Sequence, residues 1–200
     1  MTRFCQIPRN IGTEWFKTDA EISHKLFHKF AAQNYDGVQV QDKGTQYTLR
    51  KEQQEAVDKT VEYFYNNKSL ADCDFLWNAK PRFGKTLTTY DFMRKINANN
   101  VLIVTNRPSI ANSWYEDFAK FISWQTHYLF VSETDALKEK PVFTYKEFLA
   151  KVQNDDSSED ARLVAFESLQ GLKGSIYFGG EIDKLKWIRG INWDLLVIDE

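Results

Sequence analysis

Phe75-Leu76-Trp77-Asn78-Ala79-Lys80-Pro81-Arg82-Phe83-Gly84-Lys85-Thr86 reads as a short apolar strand, a tight loop and the start of a helix. A loop that turns sharply between a strand and a helix aims successive backbone N–H groups at one point, and the helix N-terminus adds partial positive charge there. That is how a phosphate is gripped. Ala79, Lys80, Pro81, Arg82, Phe83 and Gly84 would form the loop, Lys85 would reach the terminal phosphates, and the Thr86 hydroxyl would hold Mg²⁺. The usual form of such a loop has glycine at both ends of a four-residue spacer, and here Ala79 takes the first place. A Gly-Lys-Ser/Thr triplet arises by chance about 0.1 times in a chain of this size at average usage, so the flanking strand and helix patterns carry the reading. Nucleotide binding is the expectation.

Downstream of the loop, a helix is predicted over 86–96, and Val101-Leu102-Ile103-Val104-Thr105 follows as an apolar run without alternation. Strands buried on both faces look like this, as in a parallel sheet flanked by helices. Asn106-Arg107-Pro108 sits at its end, and a helix over 109–122 turns Ile110, Trp114, Phe118 and Ile122 inward. Further strands are expected at 127–131 and 162–166, a helix at 145–153, and a solvated acidic loop at 154–160. Glu167-Ser168-Leu169-Gln170-Gly171 closes the strand at 162–166, and a glycine-rich, aromatic connection occupies 171–193. Trp193-Asp194-Leu195-Leu196-Val197-Ile198-Asp199-Glu200 gives one more buried strand ending in two carboxylates.

Upstream, a helix runs from Leu49 to about Tyr65 with Ala56, Val57, Val61 and Phe64 on its buried side. Gln53 on it has an acceptor and two donors, enough to read an adenine edge, although a solvated helix residue is the plainer reading. Residues 34–48 read as a linker or hairpin and 19–33 as an amphipathic helix. His24 and His28 lie four apart on that helix, a spacing that can bind metal, but without a third ligand they read as surface histidines.

Composition bounds the rest. The 200 residues are 42% apolar and 27% charged, with six Trp and fifteen Phe, which fits a globular protein with an aromatic interior. A formal charge of −2 excludes a uniformly basic coat, so any nucleic-acid binding must be local. Cys5 and Cys73 are far apart and outside any CxxC spacing, which supports neither a disulfide framework nor zinc. No segment approaches the ~20 apolar residues of a membrane span. A soluble, cytoplasmic protein with no membrane partner is expected.

Strands alternating with helices predict a parallel α/β sheet, and ligands in such sheets sit beyond the carboxyl ends of the strands. The phosphate loop, Arg107, Ser168, Gln170, Asp199 and Glu200 all fall at such ends. Phosphoryl transfer to water needs the γ-phosphate held, its charge neutralised by Mg²⁺, and a water aligned for attack. Lys85 and the loop would do the first, Thr86 and Asp199 would hold the metal, and Glu200 would orient and deprotonate the water.

Together these features resemble the first motor domain of superfamily two helicases and translocases, a RecA-like P-loop fold, over residues 46–200. Leu49-Arg50 and Gln53 look like the family's glutamine motif, and Ala79–Thr86 matches its phosphate loop, where alanine in the first position is usual. Thr105-Asn106-Arg107-Pro108 lies where these proteins contact one DNA strand, Ser168-Leu169-Gln170 resembles a later strand-contacting motif, and Val197-Ile198-Asp199-Glu200 looks like the start of the Asp-Glu-x-His box. Within the superfamily, the Pro81-Arg82-Phe83 loop and the Ser-Leu-Gln motif are most like the motors of type I and type III restriction enzymes and related phage-defence proteins.

The resemblance implies ATP and Mg²⁺ as cofactors and DNA as partner, with ATP hydrolysed between this domain and a second RecA-like domain, and methylase, specificity or nuclease modules attached. The Ser-Ala-Thr motif and the second domain are missing from these 200 residues, so an N-terminal piece of a longer protein, incomplete at its C-terminus and poorly active alone, is expected. Residues 1–45 are read as an extension and linker, in which Gly12-Thr13-Glu14-Trp15-Phe16 looks like the end of a small phage-type nuclease or DNA-binding module. Two alternatives share the phosphate loop: a small-molecule P-loop kinase, which should carry a mobile lid with arginines, and a non-catalytic nucleotide- or DNA-binding fragment.

Overall fold

The unbroken run Val101-Leu102-Ile103-Val104 forms the centre of β1 (Asn100–Thr105), in which every residue after Asn100 is buried. Such a strand has no wet face, so helices must cover the sheet on both sides. A computed structural model describes residues 45–67, 73–154 and 160–199, together with Glu21, His24 and His28. Two compact units divide the chain, Met1–Lys43 and Gly44–Glu200. In the first, Glu21, His24 and His28 are helical, and the two imidazoles meet edge to face with their Nε2 atoms 3.0 Å apart. No group of three metal-ligating side chains occurs among the described residues. The remaining readings for 1–44 lie outside those residues.

The second unit runs α1 (Lys51–Asn66), α2 (Lys85–Lys95), β1, α3 (Ala111–Phe121), β2 (Tyr128–Val131), α4 (Tyr145–Asn154), β3 (Arg162–Ser168), α5 (Leu169–Lys173), α6 (Lys186–Gly190) and β4 (Leu195–Asp199). The strands form a sheet of order β2-β3-β1-β4, parallel throughout. Side chains alternate across β1. Val101 and Ile103 therefore join one core with Tyr90, Met93, Trp114 and Phe166, where α1, α2 and α3 pack. Leu102 and Val104 join the other, with Phe148, Leu172, Leu185 and Ile188 from α4, α5, α6 and their connections. The expected parallel α/β sheet with helices on both faces is thus present.

Register decides where the functional groups fall. Thr105 at the end of β1 pairs with Ser168 on one side and with Asp199 on the other. The carboxyl ends of three strands are therefore level, and everything that follows them rises from one rim.

The strand expected at 75–77 is not formed. Residues 73–80 form no regular element and belong to no ladder. Trp77 anchors the segment, its indole donating to Thr60 Oγ1 at 2.8 Å and its ring set against Phe92. A groove of about 470 Å³ separates it from β4, lined by Phe75, Leu76, Trp77, Leu196 and Ile198 among others. A strand exists only where its N–H and C=O groups find a neighbouring ladder. Among the described residues β4 pairs with β1 alone, and on it Leu196 is 55% and Ile198 71% exposed.

The connection at 171–193 is more ordered than expected, holding the end of α5, a 3₁₀ turn at Ile176–Phe178 and α6. No described helix is long and apolar enough to cross a membrane.

Candidate functional site

The helix carrying Lys85 and Thr86 begins at Gly84, whose φ of 87° lies in the left-handed region that favours glycine. Thr88 closes the first turn, with both its amide and its hydroxyl on the Gly84 carbonyl at 3.1 and 2.9 Å. Arg82 is also left-handed, at φ 65°, so two of the six loop residues hold backbone that L-residues seldom adopt. Such strain persists where the surroundings impose it. Here α1 does so. Gln53 Nε2 donates to Phe83 O at 2.7 Å, its Oε1 accepts the Arg50 amide at 2.8 Å, and the Arg50 guanidinium donates to the carbonyls of Arg82 and Phe83.

Gln53 is therefore no solvated helix residue. It is 6% exposed, on the stripe it shares with Val57 and Thr60, and its amide is engaged at both ends in shaping the loop. Ala79, Phe83, Lys85 and Thr86 are half-buried, while Lys80, Pro81, Arg82 and Gly84 are exposed.

Asp199 reaches this loop from a strand 114 residues downstream of Lys85, with Lys85 Nζ 2.7 Å from its Oδ1. The other carboxylate oxygen, Oδ2, accepts the indole N–H of Trp114 at 3.2 Å. Asp199 is 12% exposed and Lys85 41%. Screening at the half-open lysine limits the net worth of the pair to about 1 kcal/mol. The ammonium can exchange its carboxylate for a phosphate at small cost.

The donor set fits a magnesium ion, which binds through one or two protein oxygens and the phosphates of its nucleotide rather than in an all-protein cage. Thr86, next to Lys85 in the sequence, and the carboxylate of Asp199 would supply such oxygens. Glu200 lies outside the described residues.

Along the rim, Arg107 is exposed in the loop after β1, where its amide donates to Thr105 Oγ1 at 3.0 Å. Gln170 reaches across to that loop, its Nε2 donating to Asn106 O at 2.7 Å. Ser168 is 7% exposed, and its hydroxyl caps α5 by accepting the Gly171 amide at 3.0 Å. The two expected strand-contacting motifs are thus joined to each other, with Arg107 and Gln170 open to solvent and Ser168 turned inward.

Two groups escaped the reading of the sequence. Trp114 reads as core by its spacing, which gives no hint that its N–H meets a carboxylate. Glu167 is the other. It ends an apolar run, is 2% exposed, and keeps Oε1 without a partner while Oε2 accepts the Ser168 amide at 3.2 Å. Burial raises its pKa to about 7, opposed by the amides of Ser168 and Glu133 and by Lys184, while the Glu133 carboxylate adds to the rise.

The unfolded carboxyl ionises near its ordinary 4.5 and the folded one near 7, so the folded state holds the extra proton between these values. Stability therefore falls as pH rises through that window, by on the order of 3 kcal/mol in full. Glu167→Gln should be more stable than the parent at pH 8 and nearly equal to it at pH 5, measured by urea unfolding. A gain of the same size at both pH values would show that ionisation is not the cause.

A family model described as "Type III restriction enzyme, res subunit" matches residues 46–200. A protein of Mycoplasma pneumoniae (strain ATCC 29342 / M129 / Subtype 1), described as "Putative type II restriction enzyme and methyltransferase RM.MpnORF110P C-terminus", is 31% identical over 159 residues. The match covers 77% of this chain and 20% of that protein, so the chain spans about a fifth of the length of this relative.

Proposed function

The chain belongs to the family of the type III restriction enzyme res subunit, a superfamily two helicase-type motor of restriction systems, and from this we propose that residues 46–200 bind Mg-ATP and drive movement along DNA. The observation that carries the reading is the meeting of Lys85 and Asp199 at 2.7 Å on a loop built at a helix N-terminus. The pairing suits a triphosphate, whose terminal charge would be met by the ammonium and shared with a metal held by the carboxylate.

In this reading Lys85 leaves Asp199 for the terminal phosphates, and the loop of Ala79, Lys80, Pro81, Arg82, Phe83 and Gly84 surrounds the phosphate chain. Thr86 and Asp199 would hold Mg²⁺, which when bound would neutralise charge developing on the transferred phosphoryl group. Gln53 keeps the loop in its left-handed shape while lying next to the base. Glu200 orients the attacking water. Arg107 and Gln170 line the DNA path, Arg107 meeting phosphate, and Ser168 acts from beneath, its hydroxyl with the Gln170 amide fixing the turn.

A second RecA-like domain would complete the ATP site, since developing charge calls for a further cation there. Methylase, specificity or nuclease modules would be the machinery driven, in the cytoplasm. Residues 1–45 would form an extension and linker from such a module.

ATP hydrolysis by the purified chain, measured with and without duplex DNA, tests this. We expect slow turnover that DNA increases, with Arg107→Ala weakening the DNA effect and leaving nucleotide affinity in place. Turnover that depends on a small hydroxylated acceptor would point to a kinase instead, and nucleotide binding with no turnover under either condition would point to a non-catalytic fragment.

A further inference from the structure

Asp199 ends a strand that pairs with β1 alone among the described residues, yet in the site proposed above a misplacement of its carboxylate by about 1 Å would be costly. The ladder fixes its backbone, and its side chain is held from outside the sheet. The indole of Trp114 is in contact with it from α3. Trp114 is 2% exposed, its ring stands edge to face with Tyr90 at 5.5 Å between centroids, and its own carbonyl accepts the Tyr90 hydroxyl at 2.8 Å. Tyr90 is fully buried on α2, five residues after Lys85. Lys85 and Asp199 are thereby tied together twice, by the ion pair between them and by a packed route through Tyr90 and Trp114.

We propose that Trp114 is a positioning residue for Asp199: its N–H fixes one carboxylate oxygen, so that the other stays turned toward Lys85 and the metal of a bound nucleotide. The inference rests on the nucleotide site proposed above. A buried indole N–H needs an acceptor, and here it takes half of a carboxylate instead of a backbone carbonyl. When the triphosphate draws Lys85 away, Oδ1 loses its 2.7 Å partner, and the indole is what keeps the carboxylate from rotating. Outer partners of metal ligands act in this way, and their loss typically costs 10–100-fold in metal affinity.

Trp114→Phe retains an aromatic ring and removes the N–H. Binding of a fluorescent ATP analogue to the full chain, titrated with Mg²⁺ and repeated in EDTA, reads the effect. We expect metal-free affinity to stay within about 2-fold while the Mg²⁺ concentration for half-maximal tight binding rises about 10-fold. Phe130→Leu serves as the control, because it thins the same core at a ring set against Tyr115, Phe118 and Phe166, and should leave the Mg²⁺ requirement unchanged. An unaltered requirement in Trp114→Phe, or an equal shift in both variants, overturns the role.

A second measurement keeps Trp114 in place. Its indole ¹H–¹⁵N resonance should move in Asp199→Asn, where the acceptor loses its charge, and a resonance that does not move also overturns the role. Parent protein that binds no nucleotide with or without Mg²⁺ would instead remove the nucleotide site itself, and the role with it.

Discussion

Lys85→Ala should lower the affinity for Mg-ATP by about 100-fold or more. The substitution removes the charge-assisted bonds that an ammonium makes to phosphate, each worth about 1.5–3 kcal/mol, and leaves Asp199 facing the anion without its counter-charge. The fold should respond little, because the pair is screened at its half-open lysine and contributes about 1 kcal/mol, and Asp199 keeps its bond from Trp114. Calorimetric titration beside urea unfolding separates the two effects. Retained affinity within about 3-fold would mean that the triphosphate does not sit at Lys85, and the nucleotide site would have to be sought elsewhere.

Gly84→Ala should both weaken the fold and spoil the loop. A Cβ there would lie 2.4 Å from Gln53 Nε2, and at φ +87° the new residue is strained in any surroundings. Left-handed backbone costs about 1–2 kcal/mol, and loss of the Gln53 to Phe83 hydrogen bond about 1 kcal/mol more, so a loss of about 2–3 kcal/mol is expected together with weaker nucleotide binding. Gly179→Ala is the natural comparison. Its φ is +92° with nothing within 4 Å of the added carbon, so it should show the backbone cost alone. Adding Gln53→Ala to Gly84→Ala removes the collision but not the strain. Gly84→Ala should therefore cost less in a Gln53→Ala background than in the parent, and an equal cost in both backgrounds would mean that the collision at Gln53 is not what limits that position.

Much of the sheet was legible because β1 and β3 are buried on both faces and therefore read as unbroken apolar runs. The rim followed from them, since residues at the ends of parallel strands come level whenever the registers do, as Thr105, Ser168 and Asp199 are. Gln53 was harder to read. A polar residue on a helix looks solvated until the loop it braces is folded against it, and that loop lies 30 residues away. The Trp114 to Asp199 bond spans 85 residues and leaves no local pattern. At 75–77 the local signal misled, because apolar composition states a preference for extension but not the presence of a partner. The five-residue helices at Leu169–Lys173 and Lys186–Gly190 are too short to show a period.

The uncovered margin of β4 carries a consequence for the molecule in water. Among the described residues β4 pairs on one side only, with Leu196 and Ile198 turned outward, and an edge of that kind is a template for another extended polypeptide that this strand, with neither lysine nor proline, does not discourage. The strand that presents Asp199 to the phosphate loop thus also offers an edge to other chains, and a strand laid along it would press on the segment that carries that carboxylate.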